Sequence, residues 1–375
     1  MVALLLAWLI AGSSTVHAAG GHGRGSYRAS GALSWHVLNT VAVGSRPVAV
    51  AVDGHTGRAF VAGGDRVSVL DGANGAALRT IPAGVGIHAY GAGPDAVAVD
   101  LRTARAFVAR FNDNSVSVLD TTTGAVVRSV HVGGGPDAIA IDARTGRAFV
   151  TNFTTDGVSV LDTRHGALVR TVPVGQVPVA VAVDARTGRV FVANYTSASV
   201  SVLDAGRGTL LRTVTVGAGA TDVAVDERSG RAFVASWDAG TVSVLDTGSG
   251  RLLRTIGIGA GPIAVAVDEL RGRAFVADLN NKSVDVLDAR SGTLQRTVAV
   301  GTFPMAVAVD EPTGEVFVAN AGSDSVSVLD ATNGAVRRTI KVGAYPVAVA
   351  IGAGAGRVFV VNREDNTVSV LVARG

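Results

Sequence analysis

Four side chains in the sequence are candidates for binding a metal ion: His88, Asp95, Asp137 and Asp222. The three aspartates stand where other copies of a repeated stretch carry Val or Ala, and His88 belongs to a segment that occurs once. Carboxylate oxygens and an imidazole nitrogen gathered in one sector could hold a divalent cation. The solvated start of a strand would also explain the aspartates, so both interpretations stay open.

A second group of candidate residues is aromatic. In four consecutive copies of the repeat, the same position holds Phe111, Phe153, Tyr195 and Trp237, although aromatic residues make up only 5% of the chain. An arc of exposed rings could bind a glycan, a peptide or an apolar ligand. Tyr90, in the segment that occurs once, is expected to lie near this arc. The alternative is that each ring folds down over its own repeat and completes the core.

These candidates are carried by a repeated unit, of which residues 178–217 are a representative copy. The unit contains four short runs rich in β-branched residues, separated by polar breaks with Asp, Gly, Asn or Ser. The first run is apolar on both faces, which predicts a strand covered on both sides. The fourth run is the most polar, which predicts an edge strand facing water. Four short antiparallel strands in about 40 residues are typical of a β-propeller blade.

The repeat count predicts the number of blades. A phenylalanine marks the second strand of each copy: Phe60, Phe107, Phe149, Phe191, Phe233, Phe275, Phe317 and Phe359. The last copy ends after its third strand, whereas residues 35–43 resemble a fourth strand that precedes any first strand. Strand 35–43 is therefore predicted to complete the C-terminal blade and close the ring. The predicted fold is an all-β propeller of eight four-stranded antiparallel blades.

A short motif at the end of the second strand resembles that of a known family. Phe-Val followed by one residue and Asn occurs at Asn152, Asn194, Asn320 and Asn362, and a run of the type Ser-Val-Ser-Val-Leu-Asp follows. This pattern is similar to the Tyr-Val-Thr-Asn signature of the YVTN family of β-propeller repeat proteins over nearly all of residues 35–371. The resemblance implies the fold but little activity, because the family, which includes surface-layer-like and periplasmic members, is mostly of undefined function. Its propellers commonly have seven blades, so seven blades are the alternative.

An Asp and an Arg recur at fixed places in the repeat. Asp142 ends a first strand and Arg147 begins the next strand, and most other copies carry the same pair. A feature needed in every copy points to structure, because an active site is needed once. The Asp is expected to accept backbone N–H groups of the turn, and the Arg to balance its charge.

The N-terminal residues predict export. Residues 2–10 form an apolar run too short to span a bilayer, and Val16-His17-Ala18 follows it like a cleavage site. The predicted organisation is a signal peptide at 1–18, a flexible Gly- and Ser-rich linker at 19–34, and a single propeller domain at 35–375. The protein is expected to be secreted or to lie in the periplasm or cell envelope, without an integral membrane domain after cleavage. An uncleaved anchor is the alternative.

Three functions are compatible with this organisation. The favoured one is a monomeric, non-enzymatic binding or scaffold protein that presents the aromatic arc to a protein or cell-envelope polymer and needs no cofactor. The first alternative is a metal-dependent lactonase- or lyase-like enzyme at the channel mouth, although no nucleophile elbow or phosphate-binding loop is present. The second is weak binding of nucleic acid or another polyanion through arginines expected on the opposite face: Arg144, Arg186, Arg207, Arg251 and Arg290. Nucleic acid is disfavoured because the net charge is only +3.

Overall fold

Eight four-stranded antiparallel sheets follow one another around a closed ring, so the protein is an eight-bladed β-propeller. The computed structural model describes residues 34–64, 66–82, 94–352 and 356–374, and only the backbone of Pro94 and Asp95. Within these ranges the one helix is a single 3₁₀ turn, Ala321–Ser323. The eight blades predicted from the repeat count are confirmed, and the seven-bladed alternative is wrong.

The strands are numbered in chain order, and each blade runs from the channel outward. Blade 1 is β2 (Pro47–Asp53), β3 (Arg58–Gly63), β4 (Arg66–Asp71) and β5 (Ala77–Pro82); blade 2 is β6 (Pro94–Asp100), β7 (Arg105–Arg110), β8 (Ser115–Asp120) and β9 (Val126–His131). Blade 3 is β10 (Pro136–Asp142), β11 (Arg147–Asn152), β12 (Gly157–Asp162) and β13 (Ala167–Pro173); blade 4 is β14 (Pro178–Asp184), β15 (Arg189–Asn194), β16 (Ser199–Asp204) and β17 (Thr209–Thr215). Blade 5 is β18 (Ala220–Asp226), β19 (Arg231–Ser236), β20 (Thr241–Asp246) and β21 (Leu252–Gly257); blade 6 is β22 (Pro262–Asp268), β23 (Arg273–Asp278), β24 (Ser283–Asp288) and β25 (Leu294–Ala299). Blade 7 is β26 (Pro304–Asp310), β27 (Glu315–Asn320), β28 (Ser325–Asp330) and β29 (Val336–Lys341); blade 8 is β30 (Pro346–Gly352), β31 (Arg357–Asn362), β32 (Thr367–Arg374) and β1 (Ser34–Ala42).

The N-terminal strand closes the ring, as predicted. β1 is the outermost strand of blade 8 and pairs antiparallel with β32 from Ser34 opposite Arg374 to Ala42 opposite Thr367. Trp35 is 1% exposed and its ring meets that of Phe317 in blade 7 edge to face, with centroids 4.8 Å apart. The closing strand therefore completes its own sheet by hydrogen bonds and fastens it to the preceding blade by packing.

The core lies between neighbouring blades. The phenylalanines that mark the second strands are all fully buried. Between blades 4 and 5, for example, Phe191 and Val202 of one blade pack with Val223 and Ala232 of the next. Large side chains thus meet smaller ones across each interface, which lets twisted sheets stack face to face around an axis.

The repeated Asp at the end of each first strand has a structural role. Asp142 Oδ1 accepts hydrogen bonds from the backbone N–H groups of Arg144 (2.9 Å) and Thr145 (3.2 Å), and Oδ2 accepts one from the Thr145 hydroxyl (2.8 Å). The expectation that Arg147 balances this charge is wrong, because Arg147 pairs instead with Asp162 on the third strand, 3.3 Å away. Both aspartates lie opposite Arg147 in the sheet, but the turn already uses both oxygens of Asp142, which leaves Asp162 as the partner.

The loops lie on two faces of the ring. Loops that join second to third strands, and fourth strands to the next blade, form the mouth face. In blade 3 these are residues 132–135, which lead into β10, and residues 153–156, which join β11 to β12. Loops that join first to second and third to fourth strands form the turn face, as residues 143–146 and 163–166 do. No helix among the described residues has the length and apolar character needed to cross a membrane.

Candidate functional site

The predicted aromatic residues of four neighbouring blades lie together on the mouth face. The rings of Phe111 and Phe153 have centroids 5.7 Å apart and planes inclined at 57°. Tyr195 packs with Phe153 and Trp237, which flank it in blades 3 and 5. We call Phe111, Phe153, Tyr195 and Trp237 the aromatic arc.

Burial differs along the aromatic arc. Tyr195 is 8% exposed, whereas Phe111, Phe153 and Trp237 are half-buried and keep part of each ring at the surface. Val177 and Val179 lie against the same rings. The rings pack side by side across blades instead of each lying over its own blade alone, which leaves a continuous, partly exposed apolar surface.

Backbone hydrogen bonds between neighbouring loops hold residues of the aromatic arc in place. The N–H of Phe153 donates to the carbonyl of Gly135 (2.8 Å), and the N–H of Tyr195 donates to that of Val177 (2.9 Å). Gly135 and Val177 both have positive φ, 63° and 55°. A Cβ on Gly135 would lie 3.1 Å from two ring carbons of Phe111, so this glycine makes room for the ring. Val177 has no such freedom, and a β-branched residue at positive φ is strained.

Tyr195 has a polar partner at the rim. Burial raises the pKa of its hydroxyl to about 12, and a hydrogen bond to Asp238 adds to the rise. Asp238 belongs to the loop that follows Trp237, so the two blades are joined at their polar edge as well as by their rings. The Tyr195 hydroxyl therefore remains protonated over the physiological pH range.

Asp137 is the predicted site residue with the most unusual surroundings. It is the second residue of β10, on the wall of the channel, and it is half-buried. Burial raises the pKa of its carboxyl to about 7, and no hydrogen bond or charge of the described residues opposes that rise. The carboxyl is enclosed by protein and yet in contact with solvent, which is the environment of a group that a ligand can reach.

A local distortion of blade 3 accompanies Asp137. Pro136 is paired with Asn152 and the next paired residue of β10 is Ile139, so two residues are unpaired. Each of the other seven blades skips one residue at this place, as between Pro178 and Ala180. In blade 3 the N–H of Ala138 donates to the Thr151 hydroxyl instead, at 2.8 Å. Such bulges change the direction of a side chain next to a functional site.

Asp222 differs from Asp137, although the sequence groups them. It is 3% exposed, and its two carboxylate oxygens accept the backbone N–H groups of Val223 (2.9 Å) and of Val265 in the next blade (2.8 Å). Burial raises its pKa to about 7, and these hydrogen bonds act in the opposite direction. Asp222 therefore holds the inner strands of blades 5 and 6 together.

The predicted cation site is not assembled within the described part of the chain. No group of three or more His, Cys, Asp or Glu residues is placed there so that it could hold a metal ion. His88 and Tyr90 lie outside the described residues, and only the backbone of Asp95 is described, at the start of β6.

The charge of the mouth face is uneven. In blades 3 to 5 its loops and the first residues of the inner strands contain no Lys, Arg or His. They do contain four aspartates: Asp137, Asp156, Asp222 and Asp238. The basic residues of this face lie in other blades: Arg46, Arg66, Arg110, His131, Lys282, Lys341 and Arg363. We call the mouth face of blades 3 to 5, with these four aspartates, the acidic sector. It carries three of the four rings of the aromatic arc.

Sequence reasoning missed a row of glutamates on the turn face. Glu227 Oε1 accepts the N–H of Ala185 (2.7 Å), Glu269 Oε1 that of Glu227 (3.0 Å), and Glu311 Oε1 that of Glu269 (2.7 Å). Burial raises the pKa of all three carboxyls, that of Glu269 to about 7. The signal was present in the sequence, because Glu follows the repeated Asp in three consecutive copies. These carboxyls lie on the face where the arginines of the polyanion hypothesis are expected, so that face carries both charges.

Comparisons with known proteins bear on the architecture. No protein-family model and no curated protein matches the chain. Among solved structures, hydrazine synthase of Kuenenia stuttgartiensis matches with a TM-score of 0.62 and 17% sequence identity, over 74% of this chain and 94% of that chain. At this identity the likeness shows the fold alone, and the chain is similar to that protein in its propeller architecture.

Proposed function

We propose that the protein is an exported binding propeller of the YVTN type that presents its mouth face to a protein or a cell-envelope polymer. The observation that carries this proposal is the aromatic arc: four rings from four blades, packed side by side and in part exposed. Half-exposed aromatic residues in a rigid frame are the usual anchors of a recognition surface. The repeat motif and the apolar N-terminal run support the family and the export.

The rigid frame suits this role. Three of the rings follow a strand and are held by a backbone hydrogen bond to the neighbouring loop: the N–H groups of Phe153, Tyr195 and Trp237 donate to the carbonyls of Gly135, Val177 and Gly219. A surface that is ordered before binding loses little conformational entropy when the partner arrives.

The test is a triple variant, Phe153→Ala, Tyr195→Ala and Trp237→Ala. Its matched control replaces three exposed apolar residues of the outer strands, Val127, Leu211 and Leu253, by Ala. Binding is measured by co-sedimentation with purified peptidoglycan and on a peptide array, and thermal stability by circular dichroism. We expect the triple variant to lose binding that the control keeps. A variant that melts early but binds like the wild type would show that the rings only complete the core.

A further inference from the structure

We propose that the mouth face binds an organic ammonium group, with the Asp137 carboxylate as its counter-charge and the rings of Phe111 and Phe153 beside it. This inference rests on the proposed binding function and deepens it by naming the chemical class of the recognised group. It concerns one position in the acidic sector of the mouth.

The first argument is that the fold does not need a carboxyl at position 137. The equivalent positions of five other blades hold apolar side chains: Val48, Val179, Ile263, Met305 and Val347. An enclosed carboxyl without a hydrogen-bond partner destabilises the folded state. Among the acids of the inner strands that the structure describes, Asp222 is bound at both oxygens by backbone N–H groups, whereas Asp137 has no such partner.

The second argument is the distortion that carries Asp137. The unpaired stretch between Pro136 and Ile139 is longer in blade 3 than in any other blade. The Thr151 hydroxyl compensates by accepting the N–H of Ala138, so this buried donor keeps a hydrogen-bond partner. A hydroxyl side chain thus maintains the distortion in blade 3, because the equivalent position of the other seven blades holds Ala or Val. The residue equivalent to Asp137 is unpaired in every blade, and blade 3 extends the unpaired stretch to Ala138, directly beside the carboxyl.

The third argument is the position of the rings. A Cβ added at Gly135, two residues before Asp137, would lie 3.1 Å from the Phe111 ring, and the Gly135 carbonyl accepts the N–H of Phe153. In blade 4 the residue equivalent to Asp137, Val179, packs in one cluster with the rings of Tyr195 and Phe153. The face of an aromatic ring attracts cations, and a carboxylate beside two rings provides both the charge and the apolar contacts that an alkylammonium group requires.

The fourth argument is the charge of the sector. No basic residue of blades 3 to 5 lies at the mouth, and the nearest arginine along the arc, Arg110 in blade 2, is paired with Asp113. An anionic ligand would have no counter-charge here. A cation is attracted to the same place by Asp156 and Asp238 as well as by Asp137.

The experiment uses n-butylammonium as the probe and n-butanol as its neutral counterpart. Binding to the purified protein is followed by saturation-transfer NMR of the probe. We expect n-butylammonium to bind with a Kd of roughly 1 to 10 mM and butanol not to bind in that range. A second comparison uses acetylated Gly-Lys-Gly amide and the same peptide with norleucine in place of lysine. It tells whether the site binds an ammonium group on a peptide side chain as it binds n-butylammonium.

The matched variants are Asp137→Asn and Asp156→Asn, which remove one charge each from the same sector. Asp156 Oδ1 accepts the N–H of Val177, and Asn114 makes the equivalent bond to Gly135 in blade 2, so an Asn at 156 retains the loop. We expect Asp137→Asn to weaken n-butylammonium binding about tenfold or more, Phe153→Ala roughly two- to fivefold, and Asp156→Asn less than about twofold.

Two results would overturn the inference: equal losses in the two Asn variants, which indicate a general electrostatic attraction, or equal binding of butanol and n-butylammonium. The proposed function fails separately. If the triple aromatic variant loses its polymer or peptide while the wild type ignores n-butylammonium, the binding face stands and only its assignment to an ammonium group is wrong.

Discussion

Replacing Trp35 by Ala should open the propeller at the blade where the ring closes. Trp35 is fully buried against Phe317, and its indole N–H donates to the Glu315 carboxylate, which is itself 1% exposed. Removing a buried Trp costs about 3 to 5 kcal/mol. Glu315 keeps its ion pair with Arg337 at 3.3 Å, so the lost hydrogen bond adds about 1 kcal/mol, the low end for a buried acceptor. The sum of about 4 to 6 kcal/mol raises the opening equilibrium of β1 and β32 by roughly three to four powers of ten.

The assay is hydrogen exchange followed by mass spectrometry, which resolves the blades. In Trp35→Ala, amides of β32 should lose protection, whereas those of blade 4, on the far side of the ring, should keep it. Trp35→Phe retains a ring against Phe317 and lacks the N–H, so it should show only the smaller part of the effect. Unchanged exchange in β32, or a loss spread evenly over all blades, would refute the view that Trp35 fastens the closing blade.

Two further predictions concern the mouth. Asp137→Val should raise the free energy of unfolding at pH 8 and lose this advantage near pH 4. Burial raises the pKa of the Asp137 carboxyl to about 7 in the folded protein, against about 4 in the unfolded chain. The wild type therefore loses the stability due to the protonated carboxyl as the pH rises towards 7. The gain at pH 8 should be about 2 to 4 kcal/mol, measured by urea unfolding at both pH values, and a pH-independent gain would contradict the assignment. Gly135→Ala should destabilise more than Gly57→Ala, because both glycines have positive φ, 63° and 65°, but only at Gly135 would the new Cβ meet the Phe111 ring. The Gly57 variant should cost about 1 kcal/mol, and equal melting temperatures of the two variants would show that the ring yields freely.

The blade number and the closure could be predicted because both follow from spacing along the chain. Constant intervals between Phe107 and Phe359 define equal units, and an unmatched fourth strand at one end must meet the unmatched third strand at the other. The apolar alternation of Val and Ala in β14 likewise predicted strands buried on both sides. These properties depend on local pattern and on counting.

The site was predictable only in part, because its properties depend on contacts across strands and blades. The sequence grouped Asp137 with Asp222, although Asp137 is the second residue of its inner strand and Asp222 the third. Among the described residues Asp137 has no hydrogen-bond partner, whereas Asp222 accepts the N–H of Val265, 43 positions away. A further signal for Asp137 was Thr151, a Thr where the related motifs have Ala or Val, but its meaning depends on which residue it faces. The partner of Arg147 was misassigned for the same reason, since Asp142 and Asp162 both adjoin it in the sheet.

The antiparallel pairing of β1 also determines on which face of the ring this strand begins. Ser34 lies opposite Arg374 at the turn face, and the strand then runs to Ala42 at the mouth face. Any segment ahead of Ser34 therefore joins the ring at the turn face, on the side away from the aromatic arc. A surface joined to that segment would thus be linked to the turn face, and Phe153 and Asp137 lie on the opposite face of the ring.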